Sequence, residues 1–388
     1  MQISRILIGA WLLLRLQPLD ADEMFAFSAR GRIYEVVTRA MGMILRFPGH
    51  WLYEPSVITP SPETGGRYLL LFSSNLFSEK DINQGEALFL SSSPDGHSAF
   101  TPPRPILNNT MVTDLCDFGD ARPIWDGSQW HVYVYAVRGD YRTNKCDQTA
   151  GVFEAAGPGL ESLAWVTYTG TNQARPLVMG VGSAGVAEDM QWFFPSAYAA
   201  PGPFLVTYND WGRPDTNVLV RRSDGDDSVD DWYDVPVAQA PDGGPIVLPD
   251  AILTGTADAA TQGDPALGLE SGCVSGNGQY QYVRGIALYG GLAPASGQAL
   301  PGPGQFFPGP VESVSNDSRG ARMFRPRLAR NEYGYIDHVP DAPGMPRTWQ
   351  SYLYYNDATV GSTDKCGYSR WFSSDQRFSV SYIEIREM

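Results

Sequence analysis

Basic residues are scarce in this sequence. Lys and Arg together number 28 against 43 Asp and Glu, which gives a formal net charge of −15 over 388 residues. A protein that binds nucleic acid must neutralise a run of phosphates, and this chain has no surplus of positive charge for that purpose. The composition therefore argues against a nucleic-acid partner. The acidity is typical of a soluble protein, or of a cleft that uses carboxylates.

Cysteine and histidine are also scarce, with four of each. The cysteines form no CxxC pair and the histidines show no ligand spacing, so we expect no metal site and no resident cofactor. The acidic run SDGDDSVDDW (residues 223–232) is a candidate for binding Ca²⁺. It lacks the alternating acids and the closing Glu of a calcium loop, so Ca²⁺ is a weak alternative. An even cysteine count fits two disulfides in an exported protein, with Cys116–Cys146 the first pair to expect. Four free buried thiols are the alternative.

No apolar run seen in the chain is long enough to span a bilayer. The run from Ile6 to Leu14 follows Arg5 and resembles the core of a signal peptide, with small residues between Ala26 and Ala29 as a cleavage region. We therefore expect a secreted or periplasmic protein without a stable membrane span, in which residues 1–44 form an N-terminal segment and lead-in. The alternative is a mis-assigned start or a cytosolic extension.

Long amphipathic helical patterns are nearly absent, and turn-forming residues are abundant. The 41 Gly and 30 Pro are spread along the chain, which indicates many tight turns. Aromatic residues make up 12% and hydrophobic residues 43%, enough for a sizeable core rich in strands. The composition therefore predicts an all-β protein.

A repeat of 61 to 72 residues runs through the chain. Each unit has an x-Pro step, then a Gly-containing turn and an alternating strand, which is the cadence of a propeller blade. The five prolines are Pro55, Pro123, Pro195, Pro265 and Pro326. We therefore predict a single domain over residues 45–388, folded as a five-bladed β-propeller, and we expect a monomer.

The residues that precede these prolines are mostly charged. Proline is best tolerated at the start of an edge strand, and it forces the preceding residue into an extended conformation. Five innermost strands would therefore bring these residues round one central funnel: Glu54, Arg122, Phe194, Asp264 and Arg325.

Three segments carry a resemblance to a known family: YEPSVI…GGRYLLLFSSN, ARPIWDGSQWHVYVYA and SSSPDGHSAF. They resemble the five-bladed β-propeller glycoside hydrolases, the superfamily of arabinanases, β-xylosidases and fructosidases, over roughly residues 45 to 388. The resemblance implies that carboxylates from the first three blades lie in the funnel. Glu54 stands where the family has its first-blade acid, usually Asp. In the second blade Arg122 stands where the family often has Asp, and Asp120 comes two residues earlier. In the third blade the nearest acids are Glu188 and Asp189.

Glycoside hydrolysis needs two carboxyl groups, one as acid and the other as base or nucleophile. The candidate catalytic residues are Glu54, Asp120, Glu188 and Asp264, with Asp189 beside Glu188. The structural alternatives are an ion pair for Glu54, a simple turn for Asp264 and a solvated loop end for Glu188. The sequence thus predicts a carbohydrate partner, bound either by a glycoside hydrolase-like enzyme or by a non-catalytic carbohydrate-binding propeller.

Aromatic and arginine side chains supply the candidate substrate-binding residues. Trp51, Tyr53 and Trp192 could stack on sugar rings, with core packing as the commoner alternative. Arg122 and Arg325 could bind a carboxylate or a hydroxyl-rich ligand bidentately. Their alternative role is to neutralise Glu54 and Asp264 inside the funnel.

Overall fold

A computed structural model gives the architecture of the chain. Its described residues contain no α-helix, and their regular structure is β-strand apart from the short 3₁₀ turns Asn109–Met111 and Leu160–Ser162. No described helix is long and apolar enough to cross a membrane. The structure describes residues 23–29, 32–76, 85–140, 142, 145–179, 196–198, 205–209, 217–222, 232–235, 266–276, 279–289, 305–307, 322–334, 338–339, 348–358 and 377–388.

Sheet 1 is an antiparallel meander of four strands in chain order. Its second and third strands are buried along most of their length, as expected of a sheet that is covered on both faces. The strands are β3 (Tyr53–Ile58), β4 (Tyr68–Asn75), β5 (Glu86–Ser93) and β6 (Arg104–Asn108).

Sheet 2 follows with five strands in the order β10-β9-β8-β7, and β11 also pairs with β9. Cys116, in the first of these strands, is disulfide-bonded. The side chain of Cys146 is outside the described part, so the pair Cys116–Cys146 stays a prediction. The strands are β7 (Leu115–Trp125), β8 (Trp130–Asp140), β9 (Lys145–Gly157), β10 (Ala164–Trp165) and β11 (Pro176–Met179).

Sheets 3 and 4 are also antiparallel meanders in chain order. Sheet 3 comprises β12 (Ser196–Tyr198), β13 (Leu205–Asn209), β14 (Asn217–Arg222) and β15 (Trp232–Val235). Sheet 4 comprises β16 (Ala266–Gly276), β17 (Gln279–Tyr289) and β18 (Gln305–Phe307). Pro195 and Pro265 immediately precede β12 and β16 in the sequence, and both prolines lie outside the described residues.

Sheet 5 joins the two ends of the described chain. Its order is β1-β2-β22-β21-β19, with β20 also on β21, so an N-terminal strand pairs along the last strand. The predicted domain boundary at residue 45 falls inside β2, and the sheet begins earlier in the chain. The strands are β1 (Glu23–Ala29), β2 (Arg32–Arg46), β19 (Arg322–Leu328), β20 (His338–Val339), β21 (Thr348–Ala358) and β22 (Arg377–Glu387).

One edge strand of each sheet, which we call its first strand (β3, β7, β12, β16 and β19), lies beside the first strand of a neighbouring sheet. β3 contacts both β19 and β7, β7 also contacts β12, and β19 contacts β16. Backbone hydrogen bonds reinforce one of these junctions: Thr59 N donates to the Arg330 carbonyl at 2.7 Å, and Arg330 N donates to the Val57 carbonyl at 2.9 Å. The repeat read from the sequence therefore corresponds to successive antiparallel sheets of an all-β fold, with each repeat proline in or directly before the first strand.

Candidate functional site

In sheet 1 the register between β3 and β4 shifts at Glu54-Pro55. Tyr53 pairs with Ser73 and Ser56 pairs with Leu71, so β3 has one more residue than β4 across this step. Such a bulge leaves a residue out of the ladder, and a proline without an N–H is tolerated there. The sequence placed this proline at a strand start, but the strand begins before it, because the bulge accommodates the proline within the strand.

Sheet 5 repeats this bulge at Arg325-Pro326. Phe324 pairs with Asn356 and Arg327 pairs with Tyr354, again with one extra residue in the first strand. Since β19 contacts β3, the two bulges belong to neighbouring strands. Glu54 and Arg325 therefore occupy equivalent backbone positions, as the sequence predicts.

Sheet 2 has the same bulge, but two residues before its proline. Gly119 pairs with Tyr135 and Arg122 pairs with Tyr133, so the bulge contains Asp120 instead of Arg122. This differs from the repeat seen in the sequence, in which Arg122 corresponds to Glu54 and Arg325 because each of the three precedes a proline. In the register of the sheets, the carboxylate of the second repeat stands at the position of Glu54.

Asp120 is held by both its backbone and its side chain. Its φ is 53°, in the left-handed region that few non-glycine residues adopt. Its Oδ1 lies 2.6 Å from a terminal nitrogen of Arg122, and the two side chains are 1% and 5% exposed. Another guanidinium nitrogen of Arg122 donates to the Ala121 carbonyl at 3.0 Å. Left-handed non-glycine residues are concentrated at functional sites, where the surrounding structure offsets their strain.

A second carboxyl pair near Asp120 is absent from the sequence-based predictions. Glu86 begins β5, and its side chain hydrogen-bonds to that of Asp117. Glu86 Oε2 also accepts from Phe118 N at 2.7 Å, which brings it to β7 two residues before Asp120. Burial, followed by the charge of Asp117, raises the pKa of Glu86 well above its usual range. Glu86 is therefore expected to keep a proton above its ordinary pKa. The sequence signal for this pair is an acid at the start of a buried strand.

The segment that leads into Glu54 is fixed by Asn75, the residue opposite Glu86 in the β4–β5 ladder. Trp51 N donates to Asn75 Oδ1 at 3.0 Å, and His50 Nδ1 lies 2.9 Å from the Asn75 carbonyl oxygen. Trp51 is 9% exposed, so most of its indole is packed inside the protein. Burial lowers the pKa of His50. The entrance to β3 is therefore tied to the strand that precedes Glu86.

The other predicted site residues are described only in part. Tyr53, Glu54 and Arg325 have a described backbone, and their side chains lie outside the described part. Glu188, Asp189, Trp192 and Asp264 lie outside the described residues altogether. Within the described ranges, no group of three or more His, Cys, Asp or Glu side chains could hold a metal ion.

Comparison with known proteins gives structural similarity only. No protein-family model matches the sequence, and no curated protein matches it. Similar solved structures include a family 117 glycoside hydrolase produced by the marine bacterium Zobellia galactanivorans, at 8% identity and TM-score 0.48 over 94% of this chain and 90% of that one. An N-acetylgalactosamine deacetylase from F. plautii has 13% identity and TM-score 0.48 over 89% and 92%. Native Bacillus subtilis arabinanase Arb43A has 12% identity and TM-score 0.43 over 87% and 94%.

Glycoside hydrolases are thus among the structures to which this chain is similar. At these identities and TM-scores, the similarity transfers no residue role and no activity to the chain. The site described above rests on this chain's own register and contacts.

Proposed function

We propose that the protein is a glycoside hydrolase-like enzyme that binds a glycan at the bulged ends of its first strands. The observation that carries the proposal is the shared bulge of β3, β7 and β19, which gives Glu54, Asp120 and Arg325 the same backbone position. Because these strands are neighbours, two acidic residues and an arginine lie at this position in adjacent sheets. Two acidic residues and an arginine at such backbone positions suit the two-carboxyl chemistry of glycoside hydrolysis.

The architecture that completes this site is a five-bladed propeller. Five sheets are formed by the described residues, and their first strands follow one another from β16 through β19, β3 and β7 to β12. Closure between β12 and β16 would make a ring with a central funnel, with the bulges around one end of it. The protein would act outside the cytoplasm as a monomer.

Each carboxyl group has a distinct role in this proposal. Glu54 is the base or nucleophile, on the opposite side of the scissile bond from the proton donor. Asp120 is engaged by Arg122 and is therefore better suited to position the arginine and the sugar than to donate a proton. A general acid needs a raised pKa. Glu86 has one, so it joins Glu188, Asp189 and Asp264 as a candidate donor.

A non-catalytic carbohydrate-binding protein is the second candidate function. The close pair of Asp120 and Arg122 favours it, because a carboxylate engaged by a buried guanidinium has less freedom to take part in proton transfer. Binding would then depend on aromatic residues and on arginines that contact sugar hydroxyls.

Hydrolysis of a panel of aryl glycosides and plant or bacterial polysaccharides separates the two functions. The panel is run with wild type, Glu54→Gln and Glu35→Gln, the last a matched control in β2 whose carboxylate pairs with Arg386 on the outer part of sheet 5. Activity lost only in Glu54→Gln supports the enzyme. No hydrolysis of any substrate, with sugars still raising the thermal unfolding temperature, supports the binding protein.

A further inference from the structure

A cavity lies at the end of sheets 1 and 2 that is opposite to the bulges. It has a volume of about 540 Å³, which falls within the range of small-molecule sites. The β3–β4 turn and the β7–β8 hairpin form its walls, together with the ends of β5 and β9. The residues that matter to its chemistry are Glu63, Arg67, Arg104, Trp125, Trp130 and Glu161.

Trp125 lines this cavity and Tyr333 lies near it, and each has exposed surface. Trp125 is partly exposed, and its ring lies against that of Trp130 with centroids 5.5 Å apart. The backbone N of Trp125 donates to the Glu332 carbonyl at 2.7 Å. The next residue, Tyr333, is outside the cavity lining but close enough to Glu63 for that carboxylate to affect its pKa. Tyr333 is 41% exposed, so much of its ring is accessible to a ligand. Aromatic faces of this kind cover the apolar faces of sugar rings.

The hairpin that carries Trp125 and Trp130 is held rigidly. His131 lies between two carboxylates, with Nε2 at 2.9 Å from Asp126 Oδ2 and Nδ1 against Glu154. Burial raises the pKa of Asp126, but hydrogen bonds from His131 and from the turn backbone lower it to about 2. A fixed aromatic surface loses little entropy when a ligand binds, so the arrangement is preorganised for recognition.

The charges of the lining residues cancel. Arg104 of β6 pairs with Glu161 across the cavity rim, from one sheet to the next. Arg67 Nε donates to Ser92 Oγ at 3.2 Å. Glu63, the fourth charge, makes no hydrogen bond or ion pair with any described residue, although its charge contributes, after burial and Glu332, to a raised pKa of Tyr333. A lining with two positive and two negative groups suits an uncharged ligand.

We propose that this cavity is a second carbohydrate-binding site, separate from the bulged end, that takes a neutral saccharide. Trp125 and Tyr333 stack on the sugar, and the Glu63 carboxylate accepts hydrogen bonds from its hydroxyl groups. The site would hold the protein on a polymer while the opposite end engages another part of it. This function does not depend on whether the bulged end is catalytic.

Affinity electrophoresis in native gels tests the proposal, with neutral plant polysaccharides and dextran as probes and polygalacturonate as the anionic comparison. All variants carry Glu54→Gln, so that no probe is consumed. Tyr333→Ala and Glu63→Gln should each weaken retardation by the neutral probe that binds, by about tenfold for Glu63→Gln because hydrogen bonds to charged groups are the stronger ones. Tyr168→Ala is the matched control, since Tyr168 is 42% exposed in the loop between β10 and β11, and none of that loop lines the cavity.

Each outcome decides the proposal. Retardation by a neutral polysaccharide that is lost in Tyr333→Ala and Glu63→Gln, and kept in Tyr168→Ala, supports it. Unchanged retardation in both cavity variants overturns it, as does retardation by polygalacturonate alone or by no probe. Both substitutions are at the protein surface, so a folding failure is checked simply by circular dichroism. Hydrolysis of small aryl glycosides reports on the bulged end independently.

Discussion

Asp120 and Arg122 form a buried ion pair at the bulge of β7, with 2.6 Å between the carboxylate and the guanidinium. The side chains alternate along a regular strand, and here the left-handed backbone of Asp120 and the extra bulge residue shape the approach of the two groups. The ion pair fixes the side chain of Asp120, which occupies in the second repeat the bulge position that Glu54 occupies in the first.

Removal of either partner of this pair should destabilise the protein strongly. A charge left buried without its partner costs about 3 to 5 kcal/mol, so Arg122→Met should lower the free energy of unfolding by about that amount. The double variant Asp120→Asn/Arg122→Met should lose less than the sum of the two single variants, because it leaves no uncompensated charge. Urea unfolding of the four proteins measures this. Strictly additive losses would contradict a direct interaction.

A side-chain hydroxyl also links sheet 5 to sheet 1. Tyr354 in β21 is fully buried, and its hydroxyl donates to the Gly96 carbonyl at 2.6 Å, in the turn after β5. Tyr354→Phe removes the donor and leaves that carbonyl unsatisfied, which should cost about 1 to 3 kcal/mol. Tyr168→Phe, at an exposed ring, should change the free energy of unfolding by less than about 0.5 kcal/mol. Equal effects of the two substitutions in chemical denaturation would argue against the contact.

The raised pKa of Glu86 should make the free energy of unfolding depend on pH. Its pKa is raised in the folded state, so the folded protein binds this proton more tightly than the unfolded chain does. Its contribution to stability is therefore complete below about pH 4.5, the ordinary value, and is lost as the pH rises toward the folded-state pKa. Glu86→Gln imitates the protonated form at every pH and keeps an oxygen for Phe118 N.

The stability of Glu86→Gln relative to wild type should therefore increase from pH 4.5 to pH 8. Urea unfolding at a series of pH values measures the difference, with Glu35→Gln as the control at a surface ion pair. A difference that stays constant, or that falls with rising pH, would mean that Glu86 does not hold a proton against Asp117.

The succession of antiparallel sheets could be predicted from the sequence repeat. Proline has no N–H and restricts the backbone of the residue before it, so its position limits where it can lie in a strand. Pro55 and Pro326 both lie in the first strand of a sheet, as the repeat predicts. Pro123 was misleading, because the bulge of its strand lies two residues earlier and the ladder resumes at Arg122. Local sequence does not distinguish these two arrangements, since register is decided by pairing with β8.

Contacts between sheets could not be predicted. Glu86 and Asp117 are far apart in the sequence and meet only because sheets 1 and 2 pack together. The pairing of β2 with β22 joins residues near opposite ends of the chain. A strand-like pattern in β2 does not indicate which strand it pairs with. The cavity beside Trp125 depends on the same packing. Its residues come from both sheets. The hydrogen bond from Trp125 N to the Glu332 carbonyl connects them to the segment after β19 that contains Tyr333.

The rate of hydrolysis by Glu54→Gln tests the central claim most directly, measured on the best substrate of the panel as kcat beside wild type and Glu35→Gln. The account predicts a loss of about 10²- to 10⁴-fold in kcat for Glu54→Gln, the usual range for a proton-transfer residue, with an unchanged unfolding temperature and full activity in the control. Wild-type kcat in a folded Glu54→Gln variant would contradict the account and remove Glu54 from the chemistry.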